Sequence, residues 1–159
     1  MTGLASERQA RLLALLLPAG LLGGAYISQY FFGLYPCEMC WWQRYPHFAA
    51  LAFALLAFVA PPRRMWIVLA GLAIVVSGLI GAYHAGVEYG WWQGHTACSV
   101  TALGDGDPLD AIMNAPLIRC DEVQWSLFGI SLAGYNFLLS TFGGLAVLWL
   151  LGRRKGDAL

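Results

Sequence analysis

From position 12 to position 32 the chain carries no charged residue, and the same holds from 65 to 83 and from 125 to 152. A helix needs about 20 predominantly apolar residues to cross a hydrocarbon core, so each run is long enough to span a membrane. A fourth stretch, 46–60, reaches that length only if its helix begins earlier, near Cys40 to Gln43. Of 159 residues 59% are hydrophobic and 11% charged, where a soluble domain carries about 25% charged. The chain lacks the polar surface to cover an ordinary globule, and so apolar a sequence does not stay disordered. Apart from Arg63-Arg64 and Arg153-Arg154-Lys155 there is no basic cluster, which excludes a nucleic-acid footprint. The expectation is an all-α integral membrane four-helix bundle. It forms a single domain over 1–159, with helices at about 11–33, 42–60, 65–87 and 126–151 and a long loop, about 88–125, between the third and fourth.

Prolines refine these limits. Pro46 fits the first turn of the second helix, where a missing N–H has no intrahelical partner, and Pro61-Pro62 ends that helix. Pro18 is expected to kink the first, which membrane helices tolerate. The first run is too long, and lacks the small-residue cleavage pattern, for a signal peptide; it reads as a retained helix.

Nine Lys plus Arg balance nine Asp plus Glu, but the two signs separate along the chain. With four spans, Arg8, Arg11, Arg63, Arg64, Arg153, Arg154 and Lys155 share one side with both termini. By the positive-inside rule that side is cytoplasmic. Glu38, Glu88, Asp105, Asp107, Asp110, Asp121 and Glu122 fall on the other, together with all four cysteines, Cys37, Cys40, Cys98 and Cys120. In a bacterium the far side is the periplasm, where disulfides persist.

Cys37 and Cys40 are spaced as Cys-x-x-Cys; on a helix their Cα atoms lie about 5 Å apart, within disulfide range. A helix N-terminus and a nearby guanidinium both favour the nucleophilic thiolate, and Cys40, Arg44 and His47 share one helix face. Zinc ordinarily takes a second Cys-x-x-Cys or a histidine pair, and Cys98 and Cys120 are too far apart for that, so redox chemistry is favoured over a metal. Four cysteines allow three pairings; the local one leaves Cys98 with Cys120 across 21 intervening residues, where a purely stabilising disulfide is the plain alternative. Gly104-Asp105-Gly106-Asp107-Pro108 between them suggests a loop presented to a partner, and two thiol pairs on one face suggest a thiol–disulfide relay.

Other polar residues carry weaker signals. His84 and Glu88, at i and i+4, fit a helix-surface pair as well as a proton-transfer role, since histidine titrates near neutrality. His47 lies one turn inside the membrane surface, and His95 is expected in solvent. Asn136, with Ser131, Ser140 and Thr141, is expected to bond between helices. Gly20 with Gly24, Gly78 with Gly81, and Gly143-Gly144 are expected at close helix contacts. Asp105, Asp107 and Asp110 read as a solvated turn, and 109–118 as a short interfacial helix.

The run Pro36-Cys37-x-x-Cys40-x-x-Gln43-Arg44 opening a membrane helix, followed by Tyr45-Pro46-His47, resembles the bacterial disulfide-bond formation protein B (DsbB) family. Tyr83-His84-Ala85-Gly86-Val87-Glu88, then Cys98, then Cys120-Asp121-Glu122 before Gln124-Trp125, extend the resemblance over nearly the whole chain. It implies an inner-membrane, quinone-dependent oxidant of DsbA, a periplasmic thioredoxin-fold dithiol protein. In that pattern Cys98 is attacked by the reduced partner and Cys120 resolves the mixed disulfide. Electrons pass to Cys37–Cys40, with Cys37 exchanging with the loop and Cys40 facing the quinone. Arg44 lies against the quinone head or the thiolate, and His47 and His84 are further candidates for quinone contact. Ubiquinone is the first expectation and menaquinone the alternative; no metal is required. Two rivals remain: a vitamin K epoxide reductase-like oxidoreductase, in which the loop pair precedes the Cys-x-x-Cys, and a non-catalytic scaffold held by disulfides or zinc.

Overall fold

The computed structural model of the chain describes residues 2–94, 99–100 and 117–153. Cys98, His95, the Asp105–Asp107–Asp110 turn, Arg154, Lys155 and all but the last two residues of the expected interfacial helix at 109–118 lie outside the described residues. Four helices dominate: α1 (Thr2–Phe31), α2 (Glu38–Val59), α3 (Arg63–Glu88) and α4 (Leu132–Gly152). Two short antiparallel pairs join them, β1 (Ser99–Val100) with β2 (Leu117–Ile118) and β3 (Ser126–Leu127) with β4 (Ile130–Ser131). The molecule is thus mostly helical rather than all-α, and residues 117–118 form a strand.

Three helix limits differ from expectation. Hydropathy marks only the apolar part of α1, whereas the helix starts nine residues earlier because 5–10 are good helix formers without a breaker. It continues through Pro18 and ends before Gly33, whose φ of +67° favours glycine. α2 begins at Glu38, so Pro46 falls two turns inside the helix and the Trp42 carbonyl loses its usual amide donor. The largest difference is at 126–131, expected as helix but folded as a hairpin. Phe128 (φ 51°) and Gly129 (φ 77°) form a two-residue turn of left-handed residues, the geometry that matches strand twist. Ser131 then caps α4, its Oγ accepting from the Gly134 amide at 3.1 Å.

α1, α3 and α4 are long and apolar enough to cross a membrane. α2 falls short of that description because Glu38, Gln43, Arg44 and His47 occupy its first half. The uncharged remainder, 48–59, is about 18 Å long at 1.5 Å per residue. Large apolar side chains such as Leu16, Leu55, Leu79 and Phe142 face outward, as suits a hydrocarbon surround.

α3 packs between α2 and α4, and α1 lies against α2 and α4. At one end the contact is made by small residues, with Ala10, Ala14, Ala54, Ala57, Ile67, Ala70, Val147 and Leu151 all buried. A Cβ on Gly144 would stand 2.9 Å from the Gly71 carbonyl, and one on Gly78 would meet the Thr141 backbone at 2.7 Å. Gly81 and Gly143 are similarly crowded, as expected. Gly20 and Gly24 are not: a Cβ there would meet nothing within 4 Å. They border open space, described next.

Candidate active site

Cys37 is the N-cap of α2. Its extended backbone leaves the helix start, and its Sγ accepts from the Cys40 amide at 3.3 Å, satisfying one donor of the first turn. The Cys-x-x-Cys spacing brings the Sγ of Cys40 to 2.9 Å from that of Cys37. Cys120, arriving from β2, is buried against the same sulfur. The Sγ atoms of Cys37 and Cys120 and a ring nitrogen of His84 all lie within 4.8 Å of one another. Hydrogen bonds with Cys120 and then Cys40, together with burial, push the Cys37 thiol well above its ordinary pKa. Met39, Val87 and Ile118 wall this cluster from solvent. Cys98 lies outside the described residues, but its chain neighbour Ser99 pairs with Ile118, two residues before Cys120.

His84 Nε2 is 3.6 Å from Cys37 Sγ and 3.8 Å from a Glu88 carboxylate oxygen. The expected i, i+4 pair with Glu88 exists, buried rather than on the helix surface, and the ring faces the thiols. Glu88 in turn accepts from the Ser131 hydroxyl, tying the end of α3 to the start of α4.

On the other side of Cys40 a cavity of about 260 Å³ opens between α1, α2 and α4. Cys40, Gln43, Arg44 and His47 line it from α2, Gly20 and Gly24 from α1, and Ala133 and Asn136 from α4. Arg44 is 6% exposed. Its guanidinium donates to Gln29 Oε1 (2.8 Å) and the Ala25 carbonyl (3.4 Å) and lies 4.9 Å from the ring centres of Tyr26 and Trp41. Among the described residues no carboxylate pairs with it. A buried cation held only by neutral groups favours a negative or electron-rich partner beside it. His84 is not part of the cavity wall.

Three residues that the sequence reading left unassigned complete the site. Gln29, the partner of Arg44, was an amide inside an otherwise apolar run, and that was its signal. Gln43 contacts Met39, His84 and Asn136, and Ser77 donates to the Gln43 carbonyl at 2.8 Å. Asn136 bonds between helices as expected, to Gln43, Ser77 and His47, and accepts from Ser140 on its own helix. The Cys37, His84 and Cys120 donor set is one that a thiophilic metal accepts.

The family model described as "Disulfide bond formation protein DsbB" matches residues 7–151. Proteins named "Disulfide bond formation protein B" are similar throughout. That of Verminephrobacter eiseniae is 35% identical, covering 92% of this chain and 86% of the relative. That of Marinobacter nauticus is 32% identical, covering 78% and 79%, and that of Nitrosococcus oceani is 31% identical, covering 96% of each. No solved structure matches.

Proposed function

Since the chain belongs to the disulfide bond formation protein DsbB family, we propose that it is a quinone-linked thiol oxidase that reoxidises a periplasmic, DsbA-like dithiol protein. Family membership supports a disulfide-forming oxidoreductase in a membrane. The observation that carries the finer reading is the double position of Cys40, 2.9 Å from Cys37 on one side and on the wall of the cavity on the other. Electrons reaching Cys37 have one sulfur-to-sulfur step to make before they face a bound acceptor.

The relay runs as follows. A thiolate of the reduced partner attacks Cys98 of a Cys98–Cys120 disulfide; the bond to the partner forms and Cys120 leaves as thiolate. Cys120 attacks Cys37 of a Cys37–Cys40 disulfide, the Cys37–Cys120 bond forms, and Cys40 leaves as thiolate at the cavity. The second thiol of the partner then displaces Cys98, which releases the partner as its disulfide. Cys98 then attacks Cys120, which restores the Cys98–Cys120 disulfide and leaves Cys37 and Cys40 reduced; closing Cys37–Cys40 again passes two electrons and two protons to the acceptor, so that net one dithiol is oxidised and one quinone reduced. The quinone supplies the two-electron acceptor when bound.

The cavity fits a quinone head on three observations. Its wall is mainly apolar; the glycine side has room where a Cβ would otherwise project; and Arg44 offers buried positive charge with no carboxylate partner among the described residues. Arg44 stabilises charge on the Cys40 sulfur or on the oxygen beside it. His47 borders the same space, with Nε2 held 3.0 Å from Asn136 Oδ1. His84 acts at the thiols rather than at the quinone. All four helices span the bacterial inner membrane in this reading. α2 is completed by its partners, with both termini cytoplasmic and the cysteines periplasmic.

Purified protein in detergent, given a reduced thioredoxin-fold donor and ubiquinone or menaquinone, tests this. Cys40→Ser is expected to abolish quinone reduction, and Cys98→Ser to block transfer from the donor. Normal turnover in either variant would rule out the relay, and an inert wild-type protein whose thiols persist in the presence of quinone would leave a scaffold.

A further inference from the structure

Between the thiols and the cavity, side-chain amides on α2 and α4 form a buried chain whose direction is set by backbone carbonyls. Asn136 Nδ2 lies 3.2 Å from the Ser77 carbonyl, which only accepts, so the NH₂ group must point there. The same Nδ2 is 2.8 Å from Gln43 Oε1, which must therefore be the oxygen of that amide. The Gln43 NH₂ group then falls 3.2 Å from the Met39 carbonyl, again an obligatory acceptor, and 2.8 Å from His84 Nδ1. Reversing Asn136 would set an oxygen against the Ser77 carbonyl, and reversing Gln43 would set one against the Met39 carbonyl. Its remaining hydrogen makes Gln43 a donor to Nδ1. In a neutral ring the other nitrogen then carries the hydrogen, and that nitrogen, Nε2, is the one 3.6 Å from Cys37 Sγ.

We propose that Gln43 is a positioning residue that holds His84 in the tautomer with its hydrogen on Nε2, the nitrogen that faces the Cys37 sulfur. A donor in that place stabilises negative charge on whichever sulfur carries it as the disulfide bond moves between them. A bare nitrogen there would instead compete for the thiol hydrogen and would be free to ligate a metal. Gln43 touches neither reacting sulfur; it acts through His84, backed by Asn136 and Ser77. The effect on turnover rests on the relay proposed above, whereas the tautomer itself does not.

The test uses the full chain, reduced, in detergent, without donor or quinone. With ¹⁵N-labelled histidine, and His84→Gln to assign its ring signals, the wild-type spectrum is expected to show His84 protonated at Nε2. Protonation at Nδ1 would overturn the inference. Reactivity supplies the second readout. With Cys40, Cys98 and Cys120 changed to Ser, alkylation of the remaining Cys37 should slow about fivefold on adding Gln43→Leu, the size of one net hydrogen bond. An unchanged rate counts against a role at the sulfur. The His47 signals report whether the rest of the amide chain is intact, and if Gln43→Leu does not fold the wild-type spectrum still decides. A dead relay with an Nε2–H ring would refute the proposed function alone, and an Nδ1–H ring with a working relay would refute this inference alone.

Discussion

At one end of the bundle the helices meet through Ala10, Ala14, Ala54, Ala57, Ala70 and Val147; at the other they meet through Cys37, Gln43, His84, Asn136 and Ser140. The first set has no directional bonds and works by being small, letting backbones approach so that many weak contacts accumulate. The second is held by hydrogen bonds between specific atoms, such as Ser77 Oγ to the Gln43 carbonyl at 2.8 Å. Substitution at the small-residue end should therefore cost stability in proportion to added volume. At the polar end it should cost chemistry in proportion to which atom is lost.

Arg44→Ala gives the sharpest break. Removing the buried guanidinium is expected to lower quinone reduction about a hundredfold or raise the apparent KM by a similar factor, as when a preorganised charge-stabilising donor is lost. Steady-state kinetics against quinone concentration measures this, and an unaltered profile would take Arg44 out of the site. Next comes Gly144→Ala, whose Cβ would press on the Gly71 carbonyl and the Val75 backbone. It should destabilise the fold by about 1–3 kcal/mol in a detergent unfolding titration, while turnover per folded molecule stays near wild type. Gly24→Leu inverts that result. With nothing within 4 Å of its Cβ position, it should fold normally yet raise the quinone KM about tenfold by filling the cavity; a stability loss like that of Gly144→Ala would erase the distinction between the two glycines.

The smallest effect belongs to the exposed ion pair beside Cys120. Arg119 binds Asp121 at 2.6 Å and holds its carboxyl below the usual range. A depressed carboxyl contributes stability above its unfolded pKa and loses it as pH falls through the folded one. Asp121→Asn should therefore lower the unfolding midpoint slightly relative to wild type at neutral pH, with the difference vanishing as pH falls below the ordinary carboxylate range.

Much of this division was legible in the chain. Uncharged runs located α1, α3 and α4, and the spacing of Cys40, Arg44 and His47 placed them together because helical periodicity alone decides it. Gly78 and Gly81 were legible as contact points, but Gly20 and Gly24 have the same spacing and opposite surroundings; what faces a glycine is a property of the neighbouring helix. The hairpin at 126–131 was hidden inside an apolar run, where hydropathy outweighs the turn signal of Phe128-Gly129. Gln43 offered only the oddity of an amide beside a membrane arginine. Its role depends on His84 and Asn136, 41 and 93 positions away.

The sulfur that caps α2 is also, on the proposed relay, the sulfur that changes partners. Each turnover thus alters the acceptor of the Cys40 amide, making it poorer when Cys37 is bonded to another sulfur and richer when it is charged. The mooring of the helix that carries Arg44 and His47 is renewed with every electron pair, so hydrogen exchange at that single amide should keep time with catalysis.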